Sequence, residues 1–125
     1  MTLDLQALVQ TAQSYTKLGK ADRASKVFRE AIQAFPNHHL LKLHAALHFL
    51  GQGNLSYARD LVEAVLKKTE HHLGAIKCLG LIRMQEGRLS DALECWRRAL
   101  QIDESDEEAL SNYAMTLFQD RKSVV

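Results

Sequence analysis

Apolar residues recur along this chain three or four positions apart, in seven stretches separated by short polar breaks. Steps of this size stack side chains on one face of a helix. The first stretch predicts a helix over 5–18 and the second a helix over 22–35. Two more pairs follow, 40–50 with 56–68 and 73–85 with 90–102, and a last stretch at 107–119 stands alone. Gly19, Gly53 and Gly87 each lie just past a predicted helix end, where a left-handed residue costs least. Asp106, Glu107 and Glu108 open the last stretch, where negative charge suits the helix dipole. Leu and Ala dominate while β-branched residues are scarce. That balance favours an all-α chain.

The same features repeat. Gly19, Gly53 and Gly87 are 34 residues apart, and so are Ala24, Ala58 and Ala92. Further rows are Ala31, Val65 and Ala99, then Ile32, Leu66 and Leu100, then the bulky Phe28, Val62 and Trp96. A row of small residues has four members: Ala12, Ala46, Gly80 and Ala114. Two antiparallel helices approach closely only where side chains are small. Ala12 with Ala24, Ala46 with Ala58, and Gly80 with Ala92 are therefore the expected near points of three helix pairs. Tyr15, Phe28, Phe49 and Trp96 are expected to fill the core between them.

The period of 34, the Ala-x3-Phe of Ala24 and Phe28, and Tyr15, Gly19, Ala31 and Pro36 resemble the tetratricopeptide repeat. The register places units at 5–38, 39–72 and 73–106 and a capping helix at 107–121. Together they make one domain over 1–121, with a short tail at 122–125. The chain departs from the family pattern in places. The first-helix Trp is replaced by Leu8, Lys42 and Ile76. The closing Pro survives as Pro36 but gives way to Glu70 and Glu104. Arg83 stands where Tyr15 and Phe49 stand in the earlier units. The resemblance implies a helical-hairpin repeat solenoid wound as a right-handed superhelix, with the first helix of each pair lining the concave side.

On that expectation each first helix carries a core stripe and a separate groove stripe. The groove stripe reads Val9, Gln13 and Thr16, then Leu40, Leu43, Leu47 and Leu50. Lys77, Leu81 and Met84 follow on the third first helix. Glu108, Ser111, Met115 and Phe118 follow on the last. The middle of this groove is apolar, and an exposed apolar patch often marks a binding surface. The expected ligand is a protein or peptide, either an apolar segment or an amphipathic helix. Met84 and Met115 would let the surface adapt. Two other uses stay open: a second copy covering the groove or the last helix, and the last helix folding inward. Relatives that hold chaperone tails clamp a terminal carboxylate with Lys, Asn and Arg. The matching positions here are Val9, Gln13, His44, Gly74 and Cys78, which disfavours that use.

Charge changes little. Lys and Arg number 16 against 15 Asp and Glu, a net charge of +1. Nothing in that balance points to nucleic acid. No apolar run reaches the ~20 residues a bilayer-spanning helix needs, and the start lacks the pattern of a signal peptide. Two cysteines make no disulfide framework, so a cytoplasmic setting is expected. Hydrophobic residues at 46% fit a packed fold.

Candidate chemistry is sparse. His44 and His48 are four apart on one helix, a spacing that can hold metal, but no third and fourth ligands follow at suitable spacing. His38 with His39, and His71 with His72, fall at equivalent repeat junctions and are expected in polar loops. Cys78 and Cys95 are expected as small buried hydrophobes rather than a redox pair. The acidic run 103–108 is expected to be a solvated loop and helix start. No nucleophile–base arrangement and no glycine-rich phosphate loop is present, so neither catalysis nor a cofactor is expected. The reading is a protein-binding adaptor. The alternatives are a small secretion-type chaperone that shields an apolar client segment, and an excised piece of a larger repeat scaffold.

Overall fold

The computed structural model describes residues 4–123. Among these residues there are seven helices and no strand. They are α1 (Leu5–Lys17), α2 (Ala21–Ala34), α3 (His39–Gly51), α4 (Leu55–Lys68), α5 (Leu73–Gln85), α6 (Leu89–Ile102) and α7 (Glu107–Ser123). The last helix runs past the boundary expected at 121, and residues 124–125 of the expected tail lie outside the described residues. Helices pair in order, α1 with α2, α3 with α4 and α5 with α6, and α7 packs on α6. Each second helix also meets the next first helix, and α3 touches α5. The architecture is an all-α solenoid of helical hairpins.

One row of residues starts the first helices. Asp4, His38, His72 and Asp106 recur every 34 residues, and each side chain accepts a backbone N–H of the turn that follows. His38 and His72 do so through Nδ1, at 3.2 Å from Leu41 N and from Ala75 N. They are helix caps rather than loose loop residues. At the other end the glycines turn the chain. Gly19, Gly53 and Gly87 have φ of +75°, +81° and +77°. This is a left-handed conformation that costs an L-residue with a Cβ roughly 1–2 kcal/mol.

The expected near points are buried: Ala12, Ala24, Ala58 and Ala92 at 0%, Ala46 at 1%, with Gly80 also buried. Phe28, Phe49 and Trp96 are core, whereas Tyr15 at the first hairpin is only half-buried, beneath Arg23. Ala114 departs from its row. It is exposed, and among the described residues no helix packs over it as α2, α4 and α6 pack over the rest of the row. Arg83, the departure from an aromatic row, is ion-paired instead. Its guanidinium reaches Glu86 at 3.1 Å, and Glu86 reaches Arg59 of α4 at 2.7 Å. A salt-bridge network thus ties the second hairpin to the third where a ring packs elsewhere.

Candidate functional site

The first helices carry two adjoining clefts. One, of about 530 Å³, is lined by Gln13, Thr16 and Lys17 of α1, Phe28 of α2, and His44, Leu47 and His48 of α3. The other, of about 180 Å³, lies among α3, α5 and the start of α7. Its lining is Leu40, Leu43, His44, Leu47, Gly74, Lys77, Cys78, Leu81 and Glu108. His44 and Leu47 belong to both, so Leu47 forms a ridge between them. Leu40 and Leu47 are 58% and 45% exposed, a large apolar surface for two leucines of one helix.

The groove residues expected from sequence divide into three sets. Gln13, Thr16, Leu40, Leu43, Leu47, Lys77 and Leu81 meet at the clefts. Leu43 is 6% exposed and serves as floor, while Leu50, at 8%, is core and lines neither cleft. Val9 and Met84 are half-buried against the core, away from both clefts. Ser111, Met115 and Phe118 are exposed on α7 outside either cleft, and only the start of α7, at Glu108, reaches the second one. Sequence reasoning left Lys17, Phe28, His44, His48, Gly74 and Cys78 out of the lining. The signal for the two histidines was their place beside Leu43 and Leu47 on the same helix.

Polar groups in the clefts are mostly engaged. Lys77 Nζ lies 3.0 Å from Asp106 and 3.2 Å from Glu108, bridging α5 to the start of α7. Burial pulls the Lys77 ammonium down, but hydrogen bonds and attraction from these two carboxylates outweigh it and hold it above its ordinary value. The Asp106 carboxyl is held below its ordinary value, first by the Ala109 N–H and then by Lys77. The acidic run is therefore partly a structural tie. His48 Nε2 hydrogen-bonds Ser25 Oγ at 2.8 Å, and its ring packs on Phe28 and Phe49. Burial lowers the His48 pKa. Among the described residues no group of three or more His, Cys, Asp or Glu is placed to hold a metal ion. Cys78 and Cys95 are buried free thiols. Desolvation pushes Cys78 up to about 11 and also raises Cys95, which opposes thiolate chemistry. Among the described residues no helix is long and apolar enough to cross a membrane.

Comparison with known proteins agrees with this architecture. The tetratricopeptide repeat family model matches residues 9–71, and a TPR repeat model matches residues 80–120. Anaphase-promoting complex subunit 7 of Arabidopsis thaliana is 31% identical over 98 residues, which is 78% of this chain and 18% of that protein. Cleavage stimulation factor subunit 77 of the same plant is 33% identical over 76 residues, 61% of this chain and 10% of that protein. The chain thus spans less than a fifth of the length of these curated relatives. Among solved structures, the Sgt2 TPR domain from Aspergillus fumigatus superposes with a TM-score of 0.84 at 14% identity, covering 98% of this chain and 82% of that one. The first TPR of Spaghetti (RPAP3), bound to the HSP90 peptide SRMEEVD, gives a TM-score of 0.80 at 18% identity, covering 92% and 91%. At such identities the likeness is one of fold.

Proposed function

This chain belongs to the tetratricopeptide repeat family, and on that premise we propose that it is a protein-binding module that takes an apolar peptide or amphipathic helix along its first helices. The observation that carries this reading is the Leu47 ridge. Leu40 and Leu47 stand exposed above the buried Leu43, with Leu81 beside it, between two clefts. Covering such leucines removes apolar surface from water at about 25 cal/mol per Å². A ligand with two apolar side chains about one helical turn apart could seat one on each side of Leu47. Met115 and Phe118 add exposed apolar surface on α7 with Ser111 between them and its start, while Val9, Leu50 and Met84 pack with the core.

The fold is shared with a domain solved with the HSP90 peptide SRMEEVD, which ends in two glutamates, a valine and an aspartate. Such an acidic tail suits this groove poorly. The positions that would grip its carboxylate hold Val9, Gln13, His44, Gly74 and Cys78. Lys77, which lies nearby, is already paired with Asp106 and Glu108. The ligand chemistry favoured here is apolar.

A second reading comes from coverage. Both curated relatives are subunits by name, and this chain matches less than a fifth of each. It would then act as one stretch of a larger repeat scaffold on which neighbouring proteins dock. The test for both readings is quantitative affinity purification with the wild-type chain and with Leu47→Asp, followed by titration of peptides from whatever is enriched. Enrichment that depends on Leu47, and a peptide that binds the wild type alone, support the groove. Partners retained equally by folded Leu47→Asp overturn it.

A further inference from the structure

Among the described residues no helix covers the outer face of α7. In the three preceding hairpins the residue of the Ala114 row is closed over by the second helix: Ala12 is 0% exposed, Ala46 1%, and Gly80 buried. On α7 the corresponding Ala114 is exposed, with Leu110 at 46% and Phe118 at 62% around it. The opposite side of α7 faces α6 through Ala109 and Thr116, both at 0%. Helical spacing puts Glu107, Leu110, Ala114, Phe118 and Arg121 on one stripe of this face, with Ser111 and Met115 exposed beside it.

That stripe is its own complement. Turned end for end about Ala114, Glu107 falls opposite Arg121, Leu110 opposite Phe118, and Ala114 opposite itself. A small residue at the centre allows close approach, as it does in each hairpin of the same molecule. Acidic residues begin the helix, and Arg121 and Lys122 end it. Two antiparallel copies therefore bring opposite charges together at both ends. This is the self-matching pattern that a two-fold interface requires. We propose that α7 is a homodimerisation surface, with a second copy of this chain packing its α7 antiparallel across Ala114. No residue of the stripe lines either cleft beside Leu47, so the dimer would present two copies of each.

One helix pair buries little area, so the dimer is expected to be weak. Sedimentation equilibrium of the purified chain tests it. The expected result is a mass that rises from one chain towards two as the concentration rises. Ala114→Glu, on an exposed site, should hold the chain monomeric with an unchanged circular dichroism melt. Glu107→Arg and Arg121→Glu should each weaken association about threefold to tenfold, and the double reversal should restore it. Ala114→Cys should form a disulfide between copies on mild oxidation, with little background because Cys78 and Cys95 are buried. A single-chain mass up to about 1 mM overturns the proposal. A dimer that survives Ala114→Glu but is lost with Leu47→Asp also overturns it, since that dimer forms through the groove.

Discussion

Gly80 and Trp96 fit together as a gap and its filling. A Cβ on Gly80 would lie 2.7 Å from Cη2 of Trp96 and 2.8 Å from Cζ2. The equivalent pairs are Ala12 with Phe28 and Ala46 with Val62, where a smaller side chain on the second helix leaves room for the alanine methyl. The Trp96 ring has nowhere to retreat. It is 0% exposed, and its Nε1 donates to Thr116 Oγ1 of α7 at 3.0 Å. The fit of α5 to α6 and the docking of α7 thus depend on one side chain.

Gly80→Ala should therefore destabilise the chain, although alanine is the better helix former by about 1 kcal/mol. Overpacking a closed core costs about 1–3 kcal/mol, and a rigid, hydrogen-bonded indole puts this site at the upper end. Urea unfolding should show a net loss of about 1–2 kcal/mol. Gly80→Ala combined with Trp96→Phe should recover part of it. A Gly80→Ala chain as stable as the wild type would show that the indole moves freely.

Leu43 and Leu47 lie one helical turn apart on α3, yet they should respond in opposite ways. Leu43→Ala empties a site 6% exposed and should cost about 2–4 kcal/mol in stability. Leu47→Ala removes a side chain 45% exposed and should change stability by under about 0.5 kcal/mol while weakening ligand binding. Thermal melts and binding titrations on the two variants check the split. Equal loss of stability would place both residues in the core.

The sequence made the repeat register readable because its rows of small and bulky residues recur at one period, and their packing follows from size alone. It could not separate Leu43 from Leu47, since both lie on the expected groove stripe. The separation comes from α5. Gly74 lacks a side chain, and a Cβ there would sit 3.3 Å from Leu43 Cδ1, so the start of α5 closes over Leu43 and leaves Leu47 open. That is a contact between two repeats, invisible to the periodicity of either. The His38 and His72 caps were also hidden, because histidine is not among the residues that usually cap helices. Only their alignment with Asp4 and Asp106 at the same period gives them away.

Those caps carry a prediction. His38→Ala and His72→Ala each remove the acceptor for a first-turn N–H and should each cost about 1 kcal/mol. His38→Asp and His72→Asp should lose nothing or gain a few tenths of a kcal/mol, because a carboxylate both accepts the bond and suits the helix dipole, as Asp106 does. Urea midpoints of the four variants test this. Equal losses for Ala and Asp would mean that the imidazoles matter through packing instead.

The thiols should be silent in the folded chain. Cys78 is raised to about 11 by burial, and Cys95 is raised by the same cause. Ellman's reagent at neutral pH should label neither within minutes under native conditions and both in urea. Fast native labelling of one thiol would reveal local opening of α5 or α6.

Acid should weaken the fold in two separate steps. Burial holds the His48 pKa below its ordinary value of about 6.5, so the folded chain resists a proton that the unfolded chain accepts. Stability is therefore flat above that value and falls as pH drops below it. The fall stops once the folded His48 also protonates. Asp106 acts lower. Its folded carboxyl is held down by the Ala109 N–H and by Lys77, so its contribution is complete above about 4 and is lost as pH falls through the lowered folded value. His48→Gln, which can still bond Ser25, should flatten the first step and leave the second. Asp106→Asn, which can still cap α7, should flatten the second and leave the first. Urea unfolding between about pH 8 and pH 3 reads both slopes. A first step that persists in His48→Gln would assign it to another group.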